Sequence, residues 1–334
     1  MKNYAAIIGI DISKLKLDIT GVNSSNETVL NHHIIDNSKT KIKSFFKKII
    51  SKFGGNNIVV AFENTGVYGY YLASHLHDLG IDYYNLSALE IHRSAGIKRG
   101  KSDKSDASII AQYILTNKFK LKLSTFTEEH ILELKVLHTQ REKIIKALRT
   151  FGNNKETLLF LPKEAGEELN KTNKSIIKCL KKNLKRIDTQ ILEIIKSNTA
   201  LIKQYDLIQS VPGIGPQTAT YLLIVTKGFT AFKNARKLAC YAGVAPFPYQ
   251  SGSSIKGRTK VNHLADKKLK SLLNMCALNA KIHDYQLKKY FDDKVDNGKN
   301  KMLVLNNIRN KILHRVFAVI KRQQPYVNTH NFAA

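Results

Sequence analysis

The first 125 residues predict an α/β fold, and the rest of the chain predicts a mostly helical one. Three observations carry this reading. Residues 5–10 (AAIIGI) and 58–62 (IVVAF) are nearly continuous apolar runs, the mark of strands buried on both faces. Turn clusters and glycines separate those runs from amphipathic stretches. From Thr127 onward the apolar period becomes helical.

The elements follow in order. After the strand at 5–10, residues 15–22 and 28–35 have strand-like content and are separated by the turn cluster Asn23-Ser24-Ser25-Asn26. Residues 38–53 form an amphipathic helix closed by Gly54-Gly55. The strand at 58–62 precedes a helix at 67–79, ended by Gly80, and a strand at 81–86. Residues 103–115 (DKSDASIIAQYIL) supply the last helix. Three strands, helix, strand, helix, strand, helix is the order of an RNase H-like α/β fold with a mixed sheet.

Thr127 with Glu128-Glu129 reads as a capped helix start. A second helix carries Ile177, Leu180, Leu184, Ile187, Ile191 and Ile194 at alternating spacings of three and four. This short heptad seam suits a helical hairpin or an oligomer stalk. A proline- and glycine-rich turn, Val211 to Pro216, then opens a helix at 217–225.

Composition narrows the function. Lysine and arginine number 54 against 26 acids, a net charge of +28, which calls for a polyanionic partner. The excess is concentrated in residues 207–334, at +16, against +7 in 1–125 and +5 in 126–206. No apolar stretch approaches the roughly 20 residues of a membrane span, so nucleic acid is the expected polyanion and no membrane partner is expected. Three cysteines, 179, 240 and 276, are far apart without a CxxC pair. A disulfide framework and a cysteine zinc site are therefore not expected, and a cytoplasmic location is.

Acids mark the first domain. Asp11 ends the first buried strand and Glu63 the later one, while Asp103 and Asp106 lie three apart at the start of the last helix. Carboxylates at the ends of buried strands are costly unless paired or metal-bound. The topology brings all four together, and their oxygens suit Mg²⁺, with two ions as in phosphodiester cleavage. The preceding loop adds Lys98, Arg99 and Lys101, placed to grip flanking phosphates. Gly213 and Gly215 resemble a helix-hairpin-helix turn, whose amides approach a phosphate without reading bases. Downstream, Tyr249-Gln250-Ser251-Gly252-Ser253-Ser254 reads either as a flexible linker or as a loop presenting a nucleophile. Lys256, Arg258 and Lys260 follow it, and Tyr249 is the rival to the serines.

Several blocks resemble one family. GIDISKLKLDI at 9–19, ENTGVYG at 63–69, KRGKSDKSDA at 98–107, VPGIGPQTA at 211–219 and YAGVAP…YQSGSSIKGRTK at 241–260 look like the DEDD transposases of bridge-RNA insertion sequences, relatives of Piv-type DNA invertases. The resemblance spans nearly the whole chain. It implies a RuvC-like catalytic domain at 1–125 with an acidic tetrad at Asp11, Glu63, Asp103 and Asp106. It further implies a helical coiled-coil region at 126–206, a basic transposase domain at 207–326 and a tail at 327–334. It makes Ser251 the nucleophile and implies donor and target DNA, a bridge RNA and a homo-oligomer as partners. One departure is Ala265-Asp266, where the family often has Gly-Asn. The competing readings are a Piv-like invertase, a metal-dependent junction nuclease without serine chemistry, and a non-catalytic nucleic-acid-binding protein.

Overall fold

The computed structural model describes residues 4–94, 103–153, 157, 160–251 and 255–328. It divides into two compact units, Met1–Phe126 and Thr127–Ala334.

The first unit is built on a five-stranded mixed sheet in the order β3-β2-β1-β4-β5. Its strands are β1 (Ala6–Ile12), β2 (Lys16–Val22), β3 (Thr28–Asp36), β4 (Ile58–Glu63) and β5 (Asp82–Leu86). β1 pairs antiparallel with β2 and parallel with β4, and β4 pairs parallel with β5. The apolar runs form the central strands because both their faces are covered. On one face Ile8, Ile10, Val60 and Phe62 pack with Phe46 of α1 (Lys39–Phe53) and with Leu72 and Leu76 of α2 (Tyr70–Asp78). On the other, Ile7, Val59 and Ala61 pack with Ile110, Ala111 and Ile114 of α4 (Asp103–Asn117). Each fully buried large side chain contributes roughly 1.5–3 kcal/mol.

Ser38 caps α1 by accepting from the Lys41 amide, and Gly54 ends it at φ +80°. The helix expected at 67–79 is split: a 3₁₀ turn at Gly66–Gly69 leads into α2. A short helix, α3 (Ala88–Ser94), follows β5 and was not anticipated.

The second unit is mostly helical. It comprises α5 (Glu129–Gly152), α6 (Lys163–Ser197), α7 (Thr199–Gln209), α8 (Pro216–Thr226) and α9 (Ala235–Tyr241). After a hairpin of β6 (Pro246–Ser251) and β7 (Ile255–Val261) come α10 (Lys267–His283), α11 (Tyr285–Asp296) and α12 (Lys301–Arg322). Thr127 is not the cap of α5. Glu128 holds that position without a side-chain cap bond, because its carbonyl is the first to accept from within the helix.

The heptad seam finds its partner inside the chain. α6 packs along α5, with Ile187 and Ile191 buried and Leu180, Leu184 and Ile194 against the same core. Arg141 of α5 reaches Asp188 of α6 at 2.6 Å. That core continues through Leu222 and Leu223 of α8, Leu269 and Leu273 of α10, and Ile308 and Ile312 of α12. Residues 126–206 therefore share one core with the segment that follows. No helix among the described residues is long and apolar enough to cross a membrane.

Candidate active site

The acidic edge of the first unit follows from strand alternation. Ile7, Gly9 and Asp11 face the same side of β1, and Val59, Ala61 and Glu63 the same side of β4. That side is the one α4 covers. The parallel register pairs Ile10 with Phe62, so one step further places Asp11 beside Glu63. Both carboxylates sit half-buried at the ends of their strands.

α4 reaches this edge because small residues let it. A Cβ on Gly9 would stand 2.6 Å from the Ala111 amide nitrogen and 2.9 Å from its Cβ, and closer still to the Ala107 carbonyl. Gly9 with Ala107 and Ala111 therefore allows the helix backbone to lie directly on β1. One step along the strand from Gly9 on this face is Asp11, and one residue before Ala107 is the half-buried Asp106. Asp103 is the first residue of α4, and its side chain lies outside the described residues.

Asp18, which sequence reasoning missed, belongs to this edge. It pairs directly with Asp11 across the antiparallel β1–β2 ladder and is only 2% exposed. Two carboxylates opposite one another repel. The structure balances Asp18 with His32 Nε2 at 2.9 Å and Lys16 Nζ at 3.2 Å. The local signal was a lone acid in an otherwise apolar strand, LDI, but its partner His32 lies on another strand.

The donor chemistry at this edge is carboxylate oxygen, which fits a hard divalent cation such as Mg²⁺. Among the described residues no group of three or more His, Cys, Asp or Glu side chains gathers closely enough to hold a metal. Lys98, Arg99 and Lys101 lie outside the described residues.

In the second unit, Ser251 is the last residue of β6 and pairs with Ile255 across the hairpin. Its side chain, and those of Lys256 and Arg258, lie outside the described residues; Lys260 is exposed. The rival Tyr249 pairs with Gly257. A Cβ on Gly257 would meet the Tyr249 ring at 2.7 Å, so the ring lies across the glycine. Phe247, Tyr249, Lys260 and Asn262 line a cavity of about 510 Å³ beside the hairpin.

The base of the hairpin is anchored at Asp266. Its backbone N–H donates to the Tyr241 carbonyl at 2.8 Å. One carboxylate oxygen caps α10 by accepting from the Leu269 amide, and the other accepts from the Tyr221 hydroxyl at 2.9 Å. Burial and the Asp266 carboxylate push the Tyr221 hydroxyl well above the usual phenol range. Gly243, at φ +65°, turns the chain so closely that a Cβ there would stand 2.5 Å from Ala265 Cβ. Ala265-Asp266 thus serves as a close-packed turn and a helix cap.

The two glycines of the helix-hairpin-helix-like turn differ. Gly213, at φ +91°, packs on α10, where a Cβ would meet the Cys276 carbonyl at 2.5 Å and Ala280 Cβ at 2.7 Å. Gly215 precedes α8 and has open space on its Cβ side. Helix packing accounts for the first, and the second leaves the start of α8 approachable.

Comparison with known proteins places both units. Residues 8–160 match the family model of the IS110 DEDD transposase, and residues 205–292 match that of the transposase IS116/IS110/IS902 family. The chain is 28% identical over 327 residues to the pilin gene-inverting proteins of Moraxella lacunata and Moraxella bovis, covering 96% of this chain and 97% of each. It is 23% identical over 388 residues to a 43.6 kDa protein of the insertion element IS110 from Streptomyces coelicolor, covering 96% of this chain and 95% of that one. Among solved structures, T. thermophilus RuvC in complex with a Holliday junction substrate aligns at 13% identity and a TM-score of 0.30, covering 36% of this chain and 99% of RuvC.

Proposed function

We propose that this chain, whose residues 8–160 and 205–292 match models of IS110-family transposases, is the DNA-cleaving and -rejoining recombinase of an insertion sequence that uses Mg²⁺ and a serine nucleophile under the direction of a bridge RNA. The observation that carries the reading is the shared face of Asp11 and Glu63 beneath α4, the helix that begins with Asp103 and Asp106.

Asp11, Glu63, Asp103 and Asp106 would hold the metal. When bound, Mg²⁺ neutralises charge at the scissile phosphate and helps a hydroxyl lose its proton. Asp18 stays outside the set, with His32 Nε2 and Lys16 Nζ already against its carboxylate. Ser251 Oγ attacks the phosphorus, the hydroxyl proton passes to a base, and the bond to the departing strand's oxygen breaks as that oxygen gains a proton. The phosphoserine link retains the energy of the phosphodiester, so a second strand's hydroxyl can reverse the step and release the serine. Such exchange needs no high-energy cofactor, but an unassisted serine is a weak nucleophile at neutral pH. Lys256, Arg258 and Lys260 would neutralise the approaching backbone, as would Lys98, Arg99 and Lys101 beside the acids. The working unit is a homo-oligomer acting on donor and target DNA.

Asp11→Asn tests this reading. Strand cleavage should disappear while DNA binding stays near the unaltered level; full cleavage by the variant, or by the unaltered protein in chelator, defeats it. The near-full-length similarity to pilin gene-inverting proteins supports a second reading, inversion of a flanked segment by the same chemistry. Sequencing of the products separates the two, since inversion leaves no excised element.

A further inference from the structure

The hairpin of α5 and α6 carries a charged face that its own core leaves unused. Between Lys171 and Arg186, α6 has seven lysines and arginines and no acid, although Glu164, Glu167 and Glu168 precede this stretch and Asp188 and Glu193 follow it. All seven side chains are exposed. At about 100° per residue they fall within an arc of roughly 140°, in which Ser175 alone is uncharged. The arc lies opposite Leu180, Leu184 and Ile187, which face the shared core. α5 adds Lys143, Lys146 and Arg149, also exposed, and has no acid from residue 143 to its end. The helices pack along one another and residues 153–162 join them, so both basic stretches run from the Arg141–Asp188 pair toward the same end of the hairpin. Among the described residues, the hairpin's ion pairs, Glu128 with His130, Arg141 with Asp188 and Glu142 with Lys268, all lie outside these stretches.

Such a face is costly without a partner. Lys174 with Lys178, Lys178 with Lys182 and Lys181 with Lys185 stand four residues apart, where like charges repel. A row of phosphates relieves that repulsion and releases condensed counterions. The apolar side of α6 is committed to the core it shares with α5, so this face has no apolar stripe to bury in a lipid surface. What it offers is positive charge along about 22 Å of helix. A duplex strand advances about 3.4 Å per phosphate, so roughly six phosphates of one strand pass along that length.

We infer that the basic face of the α5–α6 hairpin lies along the backbone of the duplex DNA on which the chain acts. The contact holds phosphates and reads no base sequence. It gives the hairpin a partner outside the core that binds its two helices together. It rests on the proposed action on DNA, but on neither the serine chemistry nor the metal.

The test is fluorescence polarisation of a labelled DNA duplex with the full chain across a salt series. The triple variant Lys178→Gln, Lys182→Gln, Lys185→Gln removes three cations from the middle of the face. If each neutralises one phosphate, the slope of log K against log salt should flatten by about 2.7, and the affinity gained between 200 and 50 mM salt should be about 40-fold smaller. Its Tm should equal or exceed that of the unaltered protein, since like-charge pairs are removed. Lys143→Gln with Lys146→Gln should flatten the slope in the same direction. The control is Lys288→Gln, Lys289→Gln, Lys299→Gln, three exposed lysines near Asp292, Asp293 and Asp296, which changes net charge equally and should leave the slope nearly unaltered. An unchanged slope in the first triple variant, or an equal loss in the control, overturns the assignment. A loss confined to an RNA duplex or to phosphatidylserine vesicles, with DNA binding unchanged, gives the face to another polyanion and also overturns it. Absence of DNA binding by the unaltered protein defeats this inference and the proposed function together, whereas normal DNA binding by the first triple variant defeats this inference alone.

Discussion

Gly9→Ala is the change that tests how the fold assembles the acids. The added methyl group would stand 2.6 Å from the Ala111 amide nitrogen, whereas ordinary contact begins at 3.4 Å. α4 must therefore retreat by about 0.8 Å at that point, and further where its Ala107 carbonyl crosses the strand. Neither obstacle is a flexible side chain, so the helix moves as a body or β1 buckles. Overpacking of this kind costs about 1–3 kcal/mol. The retreat also carries the first turn of α4, with Asp103 and Asp106, away from Asp11 and Glu63. A misplacement near 1 Å in a catalytic constellation costs on the order of 10²-fold in rate. The assay pairs thermal denaturation with strand cleavage of element DNA, using Gly80→Ala as the matched control. Gly80 is left-handed at φ +64° with no atom near its Cβ position, so alanine there loses stability without moving α4. The expected pattern is destabilisation in both variants and loss of cleavage only in Gly9→Ala. Full cleavage by Gly9→Ala would refute the argument that close approach of α4 builds the site.

Two further changes probe the electrostatics. Asp18→Ala leaves the His32 ring and the Lys16 ammonium without their buried acceptor, and it should cost roughly 1–3 kcal/mol in chemical denaturation; an unshifted midpoint contradicts the ion-pair role. His138 gives a pH signature. Burial, aided by Lys268 and Arg141 and opposed by Glu142 and Asp188, sets its folded pKa below the ordinary 6.5. The unfolded chain therefore takes up the proton first as pH falls, and stability declines once pH drops below about 6.5 and levels off below the folded value. His138→Gln should flatten that part of the Tm–pH curve, and an identical curve in the variant shows that another group is responsible.

What could be read in the sequence was whatever a local pattern encodes. β1 and β4 were legible as apolar runs, and Asp11 and Glu63 because a carboxylate ending such a run needs a reason. The sheet order followed from the order of elements. The heptad seam was legible as a seam, but its partner α5 is fixed by a core that also draws on α8, α10 and α12. Asp18 was hidden inside a strand, and its partner His32 is set by β2–β3 pairing rather than by spacing. Gly213 showed a turn motif, while the reason for its glycine is the Cys276 carbonyl on α10. α3 is short and lacks a periodic stripe long enough to announce it.

We propose that a serine at the end of the β6 strand does the chemistry. The most direct measurement is mass spectrometry of the protein–DNA adduct trapped during cleavage of element DNA in Mg²⁺. The expected result is a phosphodiester link on the peptide containing Ser251, absent in Ser251→Ala and in Asp11→Asn. A link mapped to Tyr249, or an adduct that survives Ser251→Ala unchanged, contradicts it.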